Sequence, residues 1–500
     1  MPVSTNAAVG GRRPIGRGRA LYEEIKARIL DGTYAGGASL ASTRAVATER
    51  GLSRTTVSTV YDQLAAEGFL ESRRGAASRV AAGIRPSRRT GKPPPAQDAS
   101  AVRFGAGSRL SAYGKRIADL GLGQAQPASG EGVDFMYGPL AGADFPTLAW
   151  MRASRKVERE RPPRLEYADP RGDLALRRAL QSYLARARGI SCDLDQLLIV
   201  SGSQQALDLC ARVLVDPGDR VVVEDPGYRM AHHVFRAYGA RLHGIAVDSQ
   251  GLRTDDLARV RTAVMACVTP THQFPLGAFL SMPRRRSLLQ WAAQTGAWIL
   301  EDDYDSEYRY AVQPEATLQS MDETGCVIYI GTFSKTLSPE LRLGYMVIPS
   351  PAIELFTATK RLTDRHSSTH AQRTLALLLH EGTYDWHVRR IRRLQDARRT
   401  ALLRALHLHL SDQVTVVGAS SGLHLVAWAK TVPASREEEL VAAAWREGVH
   451  VYPVSPLYLP QRDGTAASRP AGLILGYALL SPEQIDRGVK RLAAAILGLR

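Results

Sequence analysis

The chain has 500 residues, room for two to four domains, and its 44% apolar and 23% charged content is that of a soluble globular protein. The formal net charge is +16. No apolar run approaches the ~20 residues of a membrane span, and the N-terminus lacks the apolar core of a secretory signal, which speaks against a membrane or exported protein. Four cysteines (Cys192, Cys210, Cys267, Cys326) lie far apart without metal-ligand spacing. They read as free thiols in a reducing cytoplasm.

The charge is uneven. Residues 1–90 carry 14 Arg and one Lys against seven acids, a basic head of the kind that meets nucleic acid. Residues 1–12 read as a disordered arm and 13–82 as a domain. Leu21, Ile25 and Ile29 share one face of a helix from about Ala20 to Asp31, closed by Gly32. A second short helix runs over Ser42–Arg50. Gly51 supplies a tight turn, and Ser53 is a natural N-cap for a third helix, where Val57, Val60, Tyr61 and Leu64 form the buried stripe. Two short helices joined at a glycine spell helix-turn-helix, whose second helix meets the major groove through its first turn. That turn offers Ser53, Arg54, Thr55 and Thr56. Phe69–Ser72 and Ser78–Val80 pair as a hairpin with Arg73 and Arg74 at its tip.

Residues 83–130 form a linker and entry segment. The 25 residues from Gly83 to Gly107, with Lys92-Pro-Pro-Pro95 among them, span on the order of 25–30 Å as a coil. From Glu131 to Arg500 strands and helices alternate, the pattern of an α/β domain. Leu197–Val200 is a strand followed by Ser201-Gly202-Ser203-Gln204, a small-residue turn opening a helix, where free N–H groups receive phosphate. Val221–Glu224 is a strand with Tyr228 in its turn. Trp298-Ile-Leu-Glu-Asp302-Asp303-Tyr304-Asp305 is an apolar run ending in acids. Arg361–Leu410 reads as long basic helices, their arginines a solvated face or a contact to DNA.

The chemistry centres on Gly331-Thr332-Phe-Ser334-Lys335, which follows the buried strand Cys326–Ile330. A lysine at such a strand end is held neutral by burial and becomes a nucleophile able to form a Schiff base with an aldehyde. Arg342, seven residues on, offers a fixed cation for a phosphate, and Thr332 adds a hydroxyl donor. An aldehyde-reactive lysine beside a phosphate clamp suits pyridoxal 5'-phosphate (PLP), and a carboxylate at a strand end suits its ring nitrogen.

Ser203-Gln-Gln-Ala-Leu-Asp208, Glu224-Asp-Pro-Gly-Tyr228, Thr269-Pro-Thr-His-Gln-Phe-Pro-Leu-Gly277, Glu301–Asp305 and the Lys335 segment, in this order, resemble the fold type I aminotransferases over residues 131–500. With the head, which resembles the GntR-type winged helix, the whole is similar to the MocR/GabR regulators. The resemblance implies an α/β fold class: an N-terminal winged helix-turn-helix plus a fold type I PLP-dependent aminotransferase-like domain. It implies that Tyr228 stacks on the coenzyme ring, that Asp302 meets the ring nitrogen and that Tyr304 meets the ring hydroxyl. It further implies that Gly202, Ser203, Gln204, Thr332 and Arg342 hold the phosphate, with Tyr167 reaching the partner subunit's phosphate, and that Asp303 and Asp305 face elsewhere. The implied DNA contacts are Arg44, Arg54 and the wing arginines Arg73 and Arg74, made by a head-to-tail homodimer on double-stranded DNA.

The sequence departs from the family at four points. Ala41 stands where proline is usual, and Gly75-Ala-Ala-Ser78 lacks the wing's second glycine. Ile474 stands at the position of the arginine that binds a substrate α-carboxylate, and Met230 at that of a second arginine in GABA-sensing relatives. The last two losses favour PLP itself, or an amine without that carboxylate, as effector. The leading expectation is therefore a PLP-sensing transcription regulator, PdxR-like in controlling vitamin B6 synthesis genes. The alternatives are a working aminotransferase with an added head, with half-transamination left open, and a DNA-binding scaffold with a dead coenzyme site.

Overall fold

A computed structural model describes residues 16–71, 77–84, 109–122, 132–160, 163–164, 166–310, 316–460 and 469–499. They fall into two units, one up to residue 99 and one from residue 100.

The first unit is built from α1 (Arg17–Leu30), α2 (Thr43–Arg50) and α3 (Arg54–Ala66), followed by β1 (Leu70–Glu71) and β2 (Arg79–Val80). Leu21, Ile25 and Ile29 pack against Val57, Val60 and Leu64, the two stripes visible in the sequence, and Leu70 and Val80 close the core. Ser42 Oγ caps α2 by accepting from Ala45 N (3.2 Å), and Gly51 ends the helix at φ +59°, a left-handed conformation that favours glycine. The Ala41 carbonyl accepts a hydrogen bond from Tyr61 Oη (2.8 Å), which ties the α1–α2 connection to α3. β1 and β2 pair antiparallel as expected. A further extended segment, unseen in the sequence, joins them: Gly37 N donates to Val80 O (2.8 Å) and Val80 N to Ala38 O (2.9 Å). Ala35-Gly-Gly-Ala-Ser39 has no apolar alternation, so nothing marked it as a strand.

The second unit opens with α4 (Ala112–Asp119), β3 (Val133–Asp134), α5 (Thr147–Arg159) and α6 (Leu174–Arg188). Its main sheet comprises β4 (Leu197–Val200), β5 (Arg220–Asp225), β6 (Arg241–Asp248), β7 (Gly251–Leu252), β8 (Ala263–Val268), β9 (Trp298–Asp303), β10 (Val327–Thr332) and β11 (Gly344–Val347). Their order is β4-β11-β10-β9-β8-β5-β6-β7. β10, β9, β8, β5 and β6 run parallel, while β11 is antiparallel to both of its neighbours. The central strands carry apolar runs, such as Val221–Val223 and Val327–Ile330, because both faces are covered there. Leu198, Val200, Ile328 and Ile330 enter one core; Leu197, Ile199 and Tyr329 enter the opposite one. α7 (Ser203–Leu214) follows β4, and α8 (Arg229–Tyr238) follows β5.

A smaller domain carries β12 (Val414–Val417), β13 (His424–Pro433), β14 (Val449–His450), β15 (Tyr452–Pro453) and β16 (Pro470–Gly476). Four of these form a sheet in the order β12-β13-β16-β15, and β14 pairs with β3. The basic stretch expected at Arg361–Leu410 is three helices, Ile353–Asp364, Thr369–His380 and Thr383–Leu410. Its arginines are not simply a solvated or DNA-facing surface. Arg390 donates to Asp144 O (2.5 Å), Arg392 to Glu307 O (2.6 Å) and Arg398 to Asp144 Oδ2 (2.7 Å), bolting the long helix to the domain, while Arg389 and Arg393 stay exposed.

Candidate functional site

Parallel strands bring their C-terminal ends to one edge, the usual ligand edge of such sheets. The register pairs Ile330 with Asp302, so Lys335, just past β10, arrives beside the end of β9. A cavity of about 350 Å³ opens there. Of the residues singled out in the sequence, it gathers Lys335, Asp302, Tyr304, Tyr228, Ser203, Gln204, Thr332 and Arg342. These come from five separate segments of chain.

Lys335 Nζ donates to Gly138 O (2.7 Å). Burial holds its pKa below the ordinary lysine value, against the pull of Asp305 and Asp302. Asp302 is pushed up to about 7, first by burial and then by the neighbouring charges of Asp303, Glu224 and Asp305. Its Oδ1 is buried without a hydrogen-bond partner among the described residues. At the other end of the cavity α7 begins without a side-chain cap, at Gly202 with φ +81°. The helix therefore presents the N–H groups of Ser203 and Gln204. Arg342 Nη2 donates to Ser201 O (2.7 Å), and a Cβ on Gly202 would come within 2.8 Å of that guanidinium. Gly202 is thus the position that lets the arginine lie against the turn while it lines the cavity. Ser334 N and the Thr332 hydroxyl bond each other (3.1 Å), folding the loop before Lys335.

Two expectations are corrected or left apart. Asp305 does not face elsewhere: it lines the cavity, and its Oδ2 lies 2.9 Å from His272 Nδ1. The chain turns after β9, so the alternation that separates Asp302 from Asp303 stops before Asp305. Asp303 does face away, onto Arg188. Tyr167 lies outside the cavity, 73% exposed, under the Arg365 guanidinium at 4.1 Å from its ring centroid.

Nothing in the sequence marks Tyr137, Gly138, Leu423 and His424 as walls, and Phe274 stands in its motif without a role. They come from loops and from the small domain, and only the tertiary fold assembles them. His272 was visible within its motif but without a role. It sits between glycines, since a Cβ on Gly422 would come within 2.0 Å of its ring, and its Nδ1 lies 2.9 Å from Tyr304 Oη. Ile474 is fully buried with Phe274, Val426, Val454 and Leu457, and Met230 is 38% exposed.

In the first unit, Arg44, Ser53, Arg54 and Thr55 are exposed at the starts of α2 and α3. Ser53 Oγ accepts from Thr56 N (3.1 Å) and also meets the Thr55 and Thr56 hydroxyls (2.8 and 2.7 Å). Ser53 and Thr56 are therefore engaged in capping, while Arg44 and Arg54 are exposed and make no ion pair among the described residues. Arg73 and Arg74 lie outside the described residues.

A parallel-stranded α/β domain with this cavity, preceded by a winged helix-turn-helix, defines a regulator with an aminotransferase-type body. Residues 137–492 match the family "Aminotransferase class I and II", and residues 17–80 match "Bacterial regulatory proteins, gntR family". The chain is 37% identical, over 96% of its length and 94% of the relative's, to the probable rhizopine catabolism regulatory protein MocR of Rhizobium meliloti. It is 29% identical to the pyridoxine biosynthesis transcriptional regulator PdxR of Corynebacterium glutamicum, over 81% of this chain and 82% of that one. Among solved structures, the Pyrococcus horikoshii kynurenine aminotransferase matches with a TM-score of 0.68 and 27% identity, over 79% of this chain and 96% of that one. The chain belongs to the MocR-type transcription regulators, a GntR-type DNA-binding head joined to an aminotransferase class I/II body. The fold family of that body is PLP-dependent.

Proposed function

We propose that this regulator binds PLP in the Lys335 cavity and that its body senses PLP itself or a small amine. One observation carries the reading: a buried carboxylate, Asp302, with an oxygen unpartnered among the described residues, lines the same cavity as a half-buried amine, Lys335. A protonated pyridine nitrogen would satisfy Asp302 and return it to its anionic form. The α7 N-terminus, Thr332 and Arg342 would hold the phosphate, Lys335 would hold the aldehyde carbon, and Tyr228 would cover the ring. When bound, the coenzyme supplies an electron sink. The protein's part is to orient it, with the Tyr304 hydroxyl placed beside the ring, and to keep the Lys335 amine neutral.

Sensing is favoured over a working aminotransferase because Ile474 is buried and apolar, so β16 presents no guanidinium for an α-carboxylate. Relatives named for pyridoxine biosynthesis and rhizopine catabolism support the two effector classes, with control of vitamin B6 synthesis genes the first to test. The exposure of Tyr167 agrees with a homodimer in which it reaches the partner's phosphate. A dimer also presents two heads to two half-sites in the cytoplasm.

The test is binding to DNA upstream of the protein's own gene, with and without PLP, at fixed salt because phosphate contacts make affinity salt-dependent. A PLP-dependent change in affinity or stoichiometry is expected. Specific binding indifferent to PLP would move the search to amines. Amino-acid turnover with no specific DNA binding would restore the enzyme reading.

A further inference from the structure

The second unit holds another cleft, of about 780 Å³, lined by one face of α8 and by segments of the small domain. Arg229, His232, His233 and Arg236 recur at i, i+3, i+4 and i+7, so a single helical face presents them. Opposite stand Tyr458 and Arg469. The Arg469 guanidinium lies over the Tyr458 ring, 3.7 Å from its centroid, and donates through Nη2 to Ser455 Oγ (2.9 Å). Its Nη1 is buried without a partner among the described residues. Arg229 Nε donates to His233 Nε2 (3.0 Å), which leaves the imidazole proton on Nδ1, also buried and unpartnered among the described residues. Both imidazoles are held neutral, His232 down to about 4, by burial and by the adjacent arginines.

The arginines of this cleft differ from others in the same unit. Arg188, Arg284 and Arg398 sit on carboxylates at 2.9, 2.6 and 2.7 Å. Among the described residues no carboxylate ion-pairs with Arg229, Arg236 or Arg469. Asp119 is exposed at the rim, and Asp225, the acid whose charge reaches Arg469, accepts from Leu459 N instead. Guanidiniums without an ion-pair partner along one concavity favour an anion, and a cleft with one sign of charge concentrates it.

We propose that this cleft is a second ligand site, separate from the coenzyme cavity, for a small anion carrying two or more negative charges. A phosphate ester and a polycarboxylate share that chemistry. α8 begins directly after Tyr228, whereas Tyr458 and Arg469 belong to the small domain. A ligand bridging them would therefore favour one arrangement of the two parts and bias the coenzyme cavity. The site stands without the coenzyme reading; only this coupling rests on it.

The test titrates full-length protein, loaded with PLP and desalted, with pyrophosphate and separately with citrate by calorimetry. Saturable binding of at least one probe, one per chain, is expected. It should weaken roughly tenfold or more in Arg236→Gln/Arg469→Gln, which lose charge-assisted hydrogen bonds, and stay unchanged in Arg393→Gln, an exposed arginine of the long helix. Arg229→Gln, at an exposed position, should reproduce the loss if the double variant misfolds by circular dichroism. Absence of saturable binding, or equal binding in all variants, overturns the site. Loss only in Arg342→Gln would place the probe in the phosphate cradle and also overturn it. So would a non-specific DNA duplex that weakens in the double variant while neither small anion binds, since the cleft would then be a backbone surface. The visible absorbance of the loaded protein reports separately whether the coenzyme reading holds.

Discussion

Two adjacent acids at the end of β9 meet opposite fates. Asp302, on the cavity side, is buried with an unpartnered oxygen and is pushed up to about 7. Asp303, one residue on and on the other side, is equally buried yet held below its ordinary value. Burial alone would raise it, but Arg188 (2.9 Å) outweighs that, with the Ser306 and Tyr329 hydroxyls adding to the effect. Arg188 also meets Glu307 at 2.5 Å. One side of the strand is an ion network in which both carboxylates have a cation, Arg188. The other is an incomplete one, and incompleteness in a buried site marks the place where a ligand finishes the structure.

The largest effect should come from breaking the completed side. Arg188→Met leaves Asp303 and Glu307 buried without their cation and should cost about 3–5 kcal/mol of stability, read by denaturant unfolding of the second unit's transition. The cavity side should respond with the opposite sign. Asp302→Asn removes a carboxylate that the fold disfavours in its charged form, and should stabilise the coenzyme-free protein by about 2 kcal/mol at pH 8. The same change should weaken PLP binding by roughly a hundredfold, because the ring nitrogen loses its counter-charge. If Asp302→Asn destabilises the coenzyme-free protein instead, Asp302 has a structural partner and the comparison fails.

A pH series sharpens the contrast. Asp302, Glu224 and Glu301 are each raised to about 7, chiefly by burial, whereas the same groups titrate near about 4 when unfolded. Between those values the folded state binds more protons than the unfolded state. Stability of the coenzyme-free protein should therefore fall as pH rises from about 4 to about 7, and these groups add no further change above that. Asp303 works in reverse: its contribution is present above the ordinary carboxylate range and is lost as pH falls through its depressed folded value. The check is the thermal midpoint at pH 5.5 and pH 8. Bound PLP should flatten the difference, since a cation beside Asp302 lowers its folded pKa.

What the sequence made legible follows from how local each signal is. The helix stripes of the first unit, the apolar strands and the cavity residues at strand ends depend on neighbours in the chain. The extended segment at Ala38 depends on a partner strand some forty residues away and carries no pattern of its own. Asp305 and Asp303 are alike in sequence, two residues apart, but β9 ends at Asp303, so alternation does not fix where Asp305 faces. The arginines of the long helix read as a solvated face because their acceptors, such as the Asp144 and Glu307 carbonyls, belong to distant segments. His272 stood in a recognisable motif, yet its link to Tyr304 and Asp305 appears only when β8 and β9 lie side by side.

That link yields the smallest expected effect. His272 Nδ1 lies 2.9 Å from both the Tyr304 hydroxyl and the Asp305 carboxylate, and one ring nitrogen satisfies only one strong hydrogen bond at a time. With the proton on Nδ1 it donates to Asp305, and the Tyr304 hydroxyl is then free to turn toward a ligand. Tyr304→Phe therefore leaves the imidazole paired with Asp305 and should cost no more than about 1 kcal/mol of stability. Its effect should appear in the coenzyme instead, as a shift of the visible absorbance and of the pH at which that absorbance changes. Asp305→Asn should move both quantities further, because it removes the anionic charge that orients the ring. If Tyr304→Phe instead destabilises the coenzyme-free protein strongly, the hydroxyl is part of the fold's own network, and the division between the two sides of β9 lies elsewhere.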